Sequence, residues 1–348
     1  MNFLIVKTSA IGDIIHSFPV LEYLHKKFPG CRVDWVVEKR YVDLAASHPL
    51  VNKVFTIDSY SWRKGWYKIS TWKEIFAFRY TLKHSSYEAV FDLQGNTKSS
   101  LATKWAKSKA KVGFGWGSAA EKPNLLVTNH RFEVPSYLNI QTRYLTLVQS
   151  YFHDHDFFTH QGIFLNVPKE KEFSGFSDKM KLMVAFGSKW ENKMLSYETL
   201  SHFLQKIDQA YPSYFFFVWG SEREKKTADK LTELFPQRSQ VIGKLDFARW
   251  QALMRQMDCV IAMDSAALHL CGTTNTPSFS VFGPSSASIY KPLGKQHVAV
   301  QGSCPYGENF VQRCKLLRTC STGACMKSLT ADALFQRFTP IAIALNKP

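Results

Sequence analysis

The chain has 348 residues, 45% of them hydrophobic and 21% charged, which is ample for two buried cores and excludes a disordered or fibrous protein. The 44 Lys and Arg against 28 Asp and Glu leave a formal charge of +16, a bias toward anionic partners such as nucleic acid, phosphorylated metabolites or an acidic membrane face. No run of 18 apolar residues occurs, so a transmembrane helix is not expected, and no RNP-like, zinc-finger or helix-turn-helix signature accompanies the charge.

In chain order, residues 3–6 form a short β-rich run, 8–13 a loop of small and polar residues, and 14–28 a helical pattern that Pro29-Gly30 stops. Lys7 and Asp13 interrupt this apolar start and no basic segment precedes it, so it reads as a buried first strand and not as a signal peptide. Strands follow at 32–37 and 54–57, with a helix over roughly 39–46 between them. Residues 59–83 break the rhythm with a segment dense in Arg, Lys, Trp and Tyr. YEAVFDLQGNTKSSLATKWAKSKAKVGFG then restores strand, loop, helix and strand, and helical character returns near Ile140.

From 151 to 176 the chain turns polar and rich in breakers, which places a domain boundary within 165–178. The second half starts over: KLMVAFGS is a strand entering a polar loop, and Ser196 is positioned to cap a helix from Tyr197. YFFFVWGSERE is a strand and its loop, followed by a charged helix over about 222–234. CVIAMDSAALHLCG and PSFSVFGPS repeat the pattern. Two successive α/β halves are predicted, divided as 1–170 and 171–325, with a helical segment over 326–348 that packs back on the first. Ligands of open α/β sheets bind outside the carboxyl ends of the strands, so polar residues just after strands are the candidates.

Asp13 sits on the first such loop, in KTSAIGDIIHSFP, where a carboxylate serves either as a helix cap or as a general base. Asp264 occupies the equivalent place in the second half. It opens DSAALH, whose Ser265, Ala266 and Ala267 let a phosphate approach free backbone N–H groups, with His269 within the helix. FGSKWENK carries Ser188, Lys189 and Lys193 as charge and hydroxyl donors toward a pyrophosphate, and WGSERE carries Glu222 and Glu224 as acceptors for a ribose diol. In the first half, Arg63, Lys64 and Lys68 lie among Trp62, Trp66 and Tyr67, a mixture suited to stacked bases or to a lipid headgroup layer. Lys98 and Ser99, with His130 and Arg131, extend a basic acceptor surface.

The loop at Asp13 is neither a GxGxxG fingerprint nor a Walker motif, and GxSxG is absent. The seven cysteines form an odd set that reads as reduced thiols in a cytoplasmic setting. Cys304, Cys314, Cys320 and Cys325 lack the paired CxxC spacing of a structural zinc site.

Taken together, KTSAIGDIIHSFP, VDWVVE, WRKGW, FDLQGNTKSS, FGSKWENK, WGSERE, MDSAALHLCG and VFGPSS resemble, in order, the ADP-heptose lipopolysaccharide heptosyltransferases of Gram-negative bacteria, glycosyltransferase family 9. The likeness is greatest to heptosyltransferase I. It implies a GT-B fold, two Rossmann-like domains facing a central cleft, the first binding acceptor and the second the nucleotide sugar. It also implies inverting transfer of L-glycero-D-manno-heptose from ADP-heptose to the 3-deoxy-manno-octulosonic acid (Kdo) region of the lipid A inner core, by a monomer at the cytoplasmic face of the anionic inner membrane. No metal or other cofactor and no nucleic acid are expected.

By the same resemblance, Asp13 is the base, Ser188, Lys193, Glu222, Asp264, Ser265, Ala266, Ala267 and His269 bind the donor, and Arg63, Lys64 and Lys98 meet the acceptor. Four features depart from the family pattern. The usual DTG is DSA here, Leu195 replaces an aromatic, Glu222 and Glu224 compete for one role, and the cysteine-rich tail is closer to heptosyltransferases II and III. Transfer to a core heptose is therefore the nearest alternative, and a basic nucleic-acid-binding protein the alternative from another class.

Overall fold

A computed structural model of the chain describes residues 1–158, 160, 162–167 and 179–345, divided into two compact units, Met1–Asn166 and Val167–Pro348. The first runs β1 (Asn2–Val6), α1 (Ile11–Ile15), α2 (Phe18–Lys27), β2 (Arg32–Glu38), α3 (Val42–Ala46), β3 (Lys53–Ile57), α4 (Ser59–Lys64), α5 (Ile69–Lys83), β4 (Ala89–Asp92), α6 (Thr97–Trp105), β5 (Ala110–Phe114), β6 (His130–Phe132) and α7 (Ile140–Tyr151). The second runs β7 (Met180–Ala185), α8 (Tyr197–Ala210), β8 (Ser213–Phe217), α9 (Glu222–Leu234), β9 (Ser239–Val241), α10 (Phe247–Met254), β10 (Cys259–Met263), α11 (Ala266–Cys271), β11 (Ser278–Phe282), α12 (Ala287–Tyr290), β12 (His297–Gln301), α13 (Ala324–Lys327) and α14 (Ala331–Leu345). The boundary expected at 170/171 falls among residues 168–178, outside the described residues.

Among the described residues each unit builds one parallel six-stranded sheet, ordered β3-β2-β1-β4-β5-β6 in the first and β12-β11-β10-β7-β8-β9 in the second. Counted from its own first strand, each has the order 3-2-1-4-5-6 of a dinucleotide-type fold, and the order reverses beside β1 and β7. The central strands are buried from Phe3 to Val6 in β1 and throughout β10, as sheets covered on both faces require, so FLIV and CVIAM read as continuous apolar runs without alternation. Helix starts follow local chemistry. Asp58, Asn96, Asn139, Ser196 and Asp246 each accept a backbone N–H from the first turn of their helix, and Ser221 with Glu224 forms a capping box on α9. Gly30, at φ 79°, makes the left-handed turn after α2 that β-carbon-bearing residues resist.

The C-terminal helix contributes to the second unit's core. Leu334, Phe338, Ile341 and Ala342 of α14 are buried in the second unit's own core, with Phe338 edge-on to Phe203 and Phe279 at ring separations of 6.0 and 5.6 Å. The apolar stripe of α14 is thus used against α8 and the sheet of its own unit. Phe338→Ala should cost about 3–5 kcal/mol, read as a lower urea midpoint.

His48 is buried in the first unit, its ring 4.5 Å from that of Phe18, and its Nδ1 accepts the Leu50 N–H at 3.2 Å. Burial, reinforced by His160 and His25, pushes its pKa down to about 3. An unfolded chain binds a proton near the ordinary histidine value while the folded one does not, so this contribution to stability is whole above that value and is lost as pH falls toward 3. Between about pH 6.5 and pH 5 the loss should reach about 2 kcal/mol, measured by denaturant unfolding of the parent against His48→Gln. Equal pH slopes for the two proteins would contradict it.

Candidate active site

In the first unit the loop after β1 is held by the loop after β4. The side-chain oxygen of Gln94 accepts the N–H groups of Thr8 and Ser9 at 3.2 and 3.1 Å. Gln94 is itself fixed because Asp92, fully buried, accepts the N–H groups of Gln94 and Gly95 through one carboxylate oxygen. Its other oxygen takes Thr103 Oγ1 at 2.8 Å and Asn124 Nδ2 at 2.6 Å. Burial pushes the Asp92 carboxyl above the usual carboxylate range, against the pull of those donors.

Asp13 stands at the third position of α1, partly exposed, and its Oδ2 accepts the Ala10 N–H at 3.2 Å. The cap and the candidate base are therefore the same carboxylate: one oxygen ties the helix start, and Oδ1 has no protein partner among the described residues.

Glu38, at the carboxyl end of β2, was not singled out by sequence reasoning, although VDWVVE contains it. Its carboxylate is nearly buried and is engaged by three groups: Lys98 Nζ at 2.9 Å, the Ser59 hydroxyl, and the Ser59 N–H at 3.3 Å. Lys98 also donates to Ser9 Oγ at 3.0 Å. One carboxylate thus connects the Asp13 loop, through Lys98, to the start of α4, which carries Arg63 and Lys64. Both of those are exposed, with the Lys64 ammonium 4.6 Å from the Tyr60 ring. His130 and Arg131 lie on β6 at the sheet edge opposite β3, so the structure does not bring them to Arg63 and Lys64.

In the second unit the candidates lie at the carboxyl ends of four neighbouring strands, β11, β10, β7 and β8. Asp264, just after β10, is buried, and its Oδ2 is in hydrogen-bond contact with both the Lys193 ammonium and the Ser285 hydroxyl. His269 Nε2 lies 3.5 Å from Oδ1, and Ser188 donates to the Asp264 carbonyl at 3.4 Å. Burial would raise this carboxyl, but His269 and Lys193 overcome it and hold it well below the usual carboxylate range. Ser285 entered the sequence reading only within the stretch VFGPSS; its position after β11, beside β10, is what makes it a partner of Asp264.

Ser265 precedes α11 without a side-chain cap, and Ala266 and Ala267 follow in its first turn. The two glutamates separate clearly. Glu222 is exposed at the start of α9, whereas Glu224 accepts the Gly220 and Ser221 N–H groups at 2.6 and 3.2 Å. The Glu224 carboxylate also packs on Gly187, where an added β-carbon would lie 2.4 Å from it. The loop bearing Lys193 is braced by the cysteine-rich tail, because Asn192 Nδ2 donates to the Leu317 carbonyl at 2.7 Å. Every cysteine is a free thiol, and among the described residues no three His, Cys, Asp or Glu are arranged to hold a metal ion.

Removing one member of the buried pair strands the other. Asp264→Ala should lower stability by about 3 kcal/mol or more, and Asp264→Ala with Lys193→Ala by less than the sum of the two single changes. Additive losses in a urea-denaturation cycle would contradict the coupling.

The sequence matches the model of glycosyltransferase family 9 (heptosyltransferase) over residues 75–319. It is 25% identical over 307 residues to lipopolysaccharide heptosyltransferase 1 of Escherichia coli strain K12, covering 86% of this chain and 92% of that protein. With lipopolysaccharide heptosyltransferase 1 of Campylobacter coli it shares 27% identity over 310 residues, 84% of this chain and 87% of the relative. The Escherichia coli heptosyltransferase WaaC, solved with ADP, superposes with a TM-score of 0.81 at 23% identity, over 98% of this chain and 100% of that one. The fold is the GT-B type of those structures, and with 245 of its residues spanned by the family model the chain belongs to glycosyltransferase family 9, the heptosyltransferases.

Proposed function

We propose that this glycosyltransferase moves L-glycero-D-manno-heptose from ADP-heptose to the Kdo region of a lipid A inner-core acceptor, with inversion at the anomeric carbon. The observation that carries the reading is the placement of the family's motifs at strand carboxyl ends: Asp13 after β1, and Ser188, Lys193, Asp264 and Ser285 around β7, β10 and β11. The Escherichia coli heptosyltransferase WaaC has also been solved with ADP-2-deoxy-2-fluoro heptose, in a structure with a TM-score of 0.80 to this chain.

In this mechanism Asp13 takes the proton of the acceptor hydroxyl. The freed oxygen attacks the anomeric carbon from the face opposite the diphosphate, the glycosidic bond forms, and the bond from that carbon to the ADP oxygen breaks. Charge grows on the departing diphosphate, which Lys193, Ser188 and the backbone of Ser265–Ala267 would answer. The Asp264 carboxylate holds Lys193 in place before donor arrives. It would also bind heptose hydroxyls, with His269 setting its orientation. Glu222 is assigned to the adenosine ribose because it is the unengaged member of the glutamate pair, while Glu224 is taken up by the helix cap. Arg63, Lys64 and Lys98 would meet acceptor carboxylates and phosphates. Such an acceptor lies in a lipid leaflet, so the enzyme works at the cytoplasmic face of the inner membrane without crossing it.

The test is turnover of ADP-heptose with a deacylated inner-core acceptor. Asp13→Asn should lower kcat by about 10²-fold or more while ADP binding, followed by calorimetry, is retained. Equal turnover by the variant would remove Asp13 from its role, and product linkage at a core heptose instead of Kdo would reassign the acceptor. Lys193→Gln should weaken ADP binding by about tenfold, the loss of one charge-assisted contact.

A further inference from the structure

Residues 59–83 supply more than the start of α4. α5 is apolar on two faces. One, with Thr71, Phe78 and Leu82, is buried, and Phe78 packs against Trp62 and Trp105 at ring separations of 5.9 and 6.1 Å. The other stands in solvent: Ile69, Trp72, Phe76 and Tyr80 are 76%, 49%, 56% and 66% exposed. They recur at three- and four-residue spacing, so they form a single stripe along the helix. Trp66 and Tyr67 continue it at the N-terminal end, and the Trp72 indole N–H donates to the Trp66 carbonyl at 2.8 Å, which joins the two parts.

Charge surrounds this stripe. Residues 59–83 contain six cations, Arg63, Lys64, Lys68, Lys73, Arg79 and Lys83, and one carboxylate, Glu74, which is engaged by the Trp62 indole at 3.0 Å. Among the described residues no helix is long and apolar enough to cross a membrane.

An exposed apolar stripe of this length marks a contact surface. Tryptophan and tyrosine with lysine and arginine at the rim match the layer where acyl chains meet headgroups. A second copy of the chain would set the same cations against one another. A nucleic acid would require a groove that follows its backbone, whereas these rings stand on the outer face of one helix.

We propose that the α5 face of Ile69, Trp72, Phe76 and Tyr80, continued by Trp66 and Tyr67, docks on the interfacial layer of an anionic phospholipid bilayer, with the surrounding cations meeting the headgroups. The biological setting rests on the heptose-transfer reading, but the surface and its test do not. Docking by this face would hold α4, with Arg63 and Lys64, at headgroup level, where a lipid-linked acceptor presents its sugars.

The experiment is co-sedimentation of the full chain, without donor or acceptor, with vesicles of phosphatidylcholine alone or mixed with phosphatidylglycerol. The parent should bind the anionic vesicles, less so as salt rises, and bind the neutral ones weakly. Trp72→Ser, Phe76→Ser and Tyr80→Ser combined should weaken anionic-vesicle binding at least tenfold, while the unfolding midpoint and turnover of the deacylated acceptor stay at parental values. Lys73→Gln with Lys83→Gln should reduce the salt dependence.

Equal vesicle binding by parent and triple variant overturns the proposal, as does a parent that binds no vesicles. A parent dimer that the triple substitution converts to monomer would assign the face to a second copy, and oligonucleotide binding lost in the triple variant would assign it to nucleic acid; either also overturns it. None of these outcomes bears on heptose transfer to a soluble acceptor, so the two readings fail separately.

Discussion

Parallel pairing of strands is the constraint on which the rest of the molecule depends. A parallel sheet obliges every connection to cross back over a face, so all carboxyl ends fall on one edge and every loop leaving that edge is brought beside its neighbours' loops. In the first unit this sets the loop after β1 beside those after β2 and β4, which is how Ser9, Glu38, Gln94 and Lys98 meet although they are scattered over 90 residues. In the second it sets the loops after β7, β10 and β11 side by side, so that Lys193, Asp264 and Ser285 converge.

Buried carboxylates then fix those loops. Asp92, Glu38 and Asp264 each sit at or just past the end of a strand, and each accepts at least one donor from a different connection of the chain. Such groups are costly to bury and are retained where their donors satisfy them. Here their partners include the backbone of Gln94, whose side chain in turn holds the Asp13 loop, the first residue of α4 and the lysine assigned to the diphosphate. Asp264 shows the balance most clearly: desolvation disfavours its charge, and His269 and Lys193 reverse that. Arrangements of this kind preorganise charge before a ligand arrives, so little reorganisation is left for the reaction itself.

The two faces of α5 illustrate a different division of labour. Phe78 and Leu82 secure the helix on the sheet, while Trp72, Phe76 and Tyr80 add nothing to the core. Burial explains the first set and leaves the second without a folding role. A chain whose caps, strands and cores otherwise follow local rules is expected to break them where it meets something else.

Much of this was legible in the sequence. Apolar runs bounded by Pro, Gly and capping residues defined the strands and helix starts, and DSAALH, FGSKWENK and KTSAIGD supplied the candidate site residues, because periodicity, caps and breakers are properties of neighbouring residues. Tertiary structure alone decided the rest. It made Glu38 the link between Lys98 and α4, and Ser285 a partner of Asp264. It separated Glu224, used as a cap, from Glu222. It buried α14 in the second core and set His130 at the sheet edge away from Arg63. These outcomes depend on which strands lie side by side, and strand order is a long-range choice that no local pattern encodes.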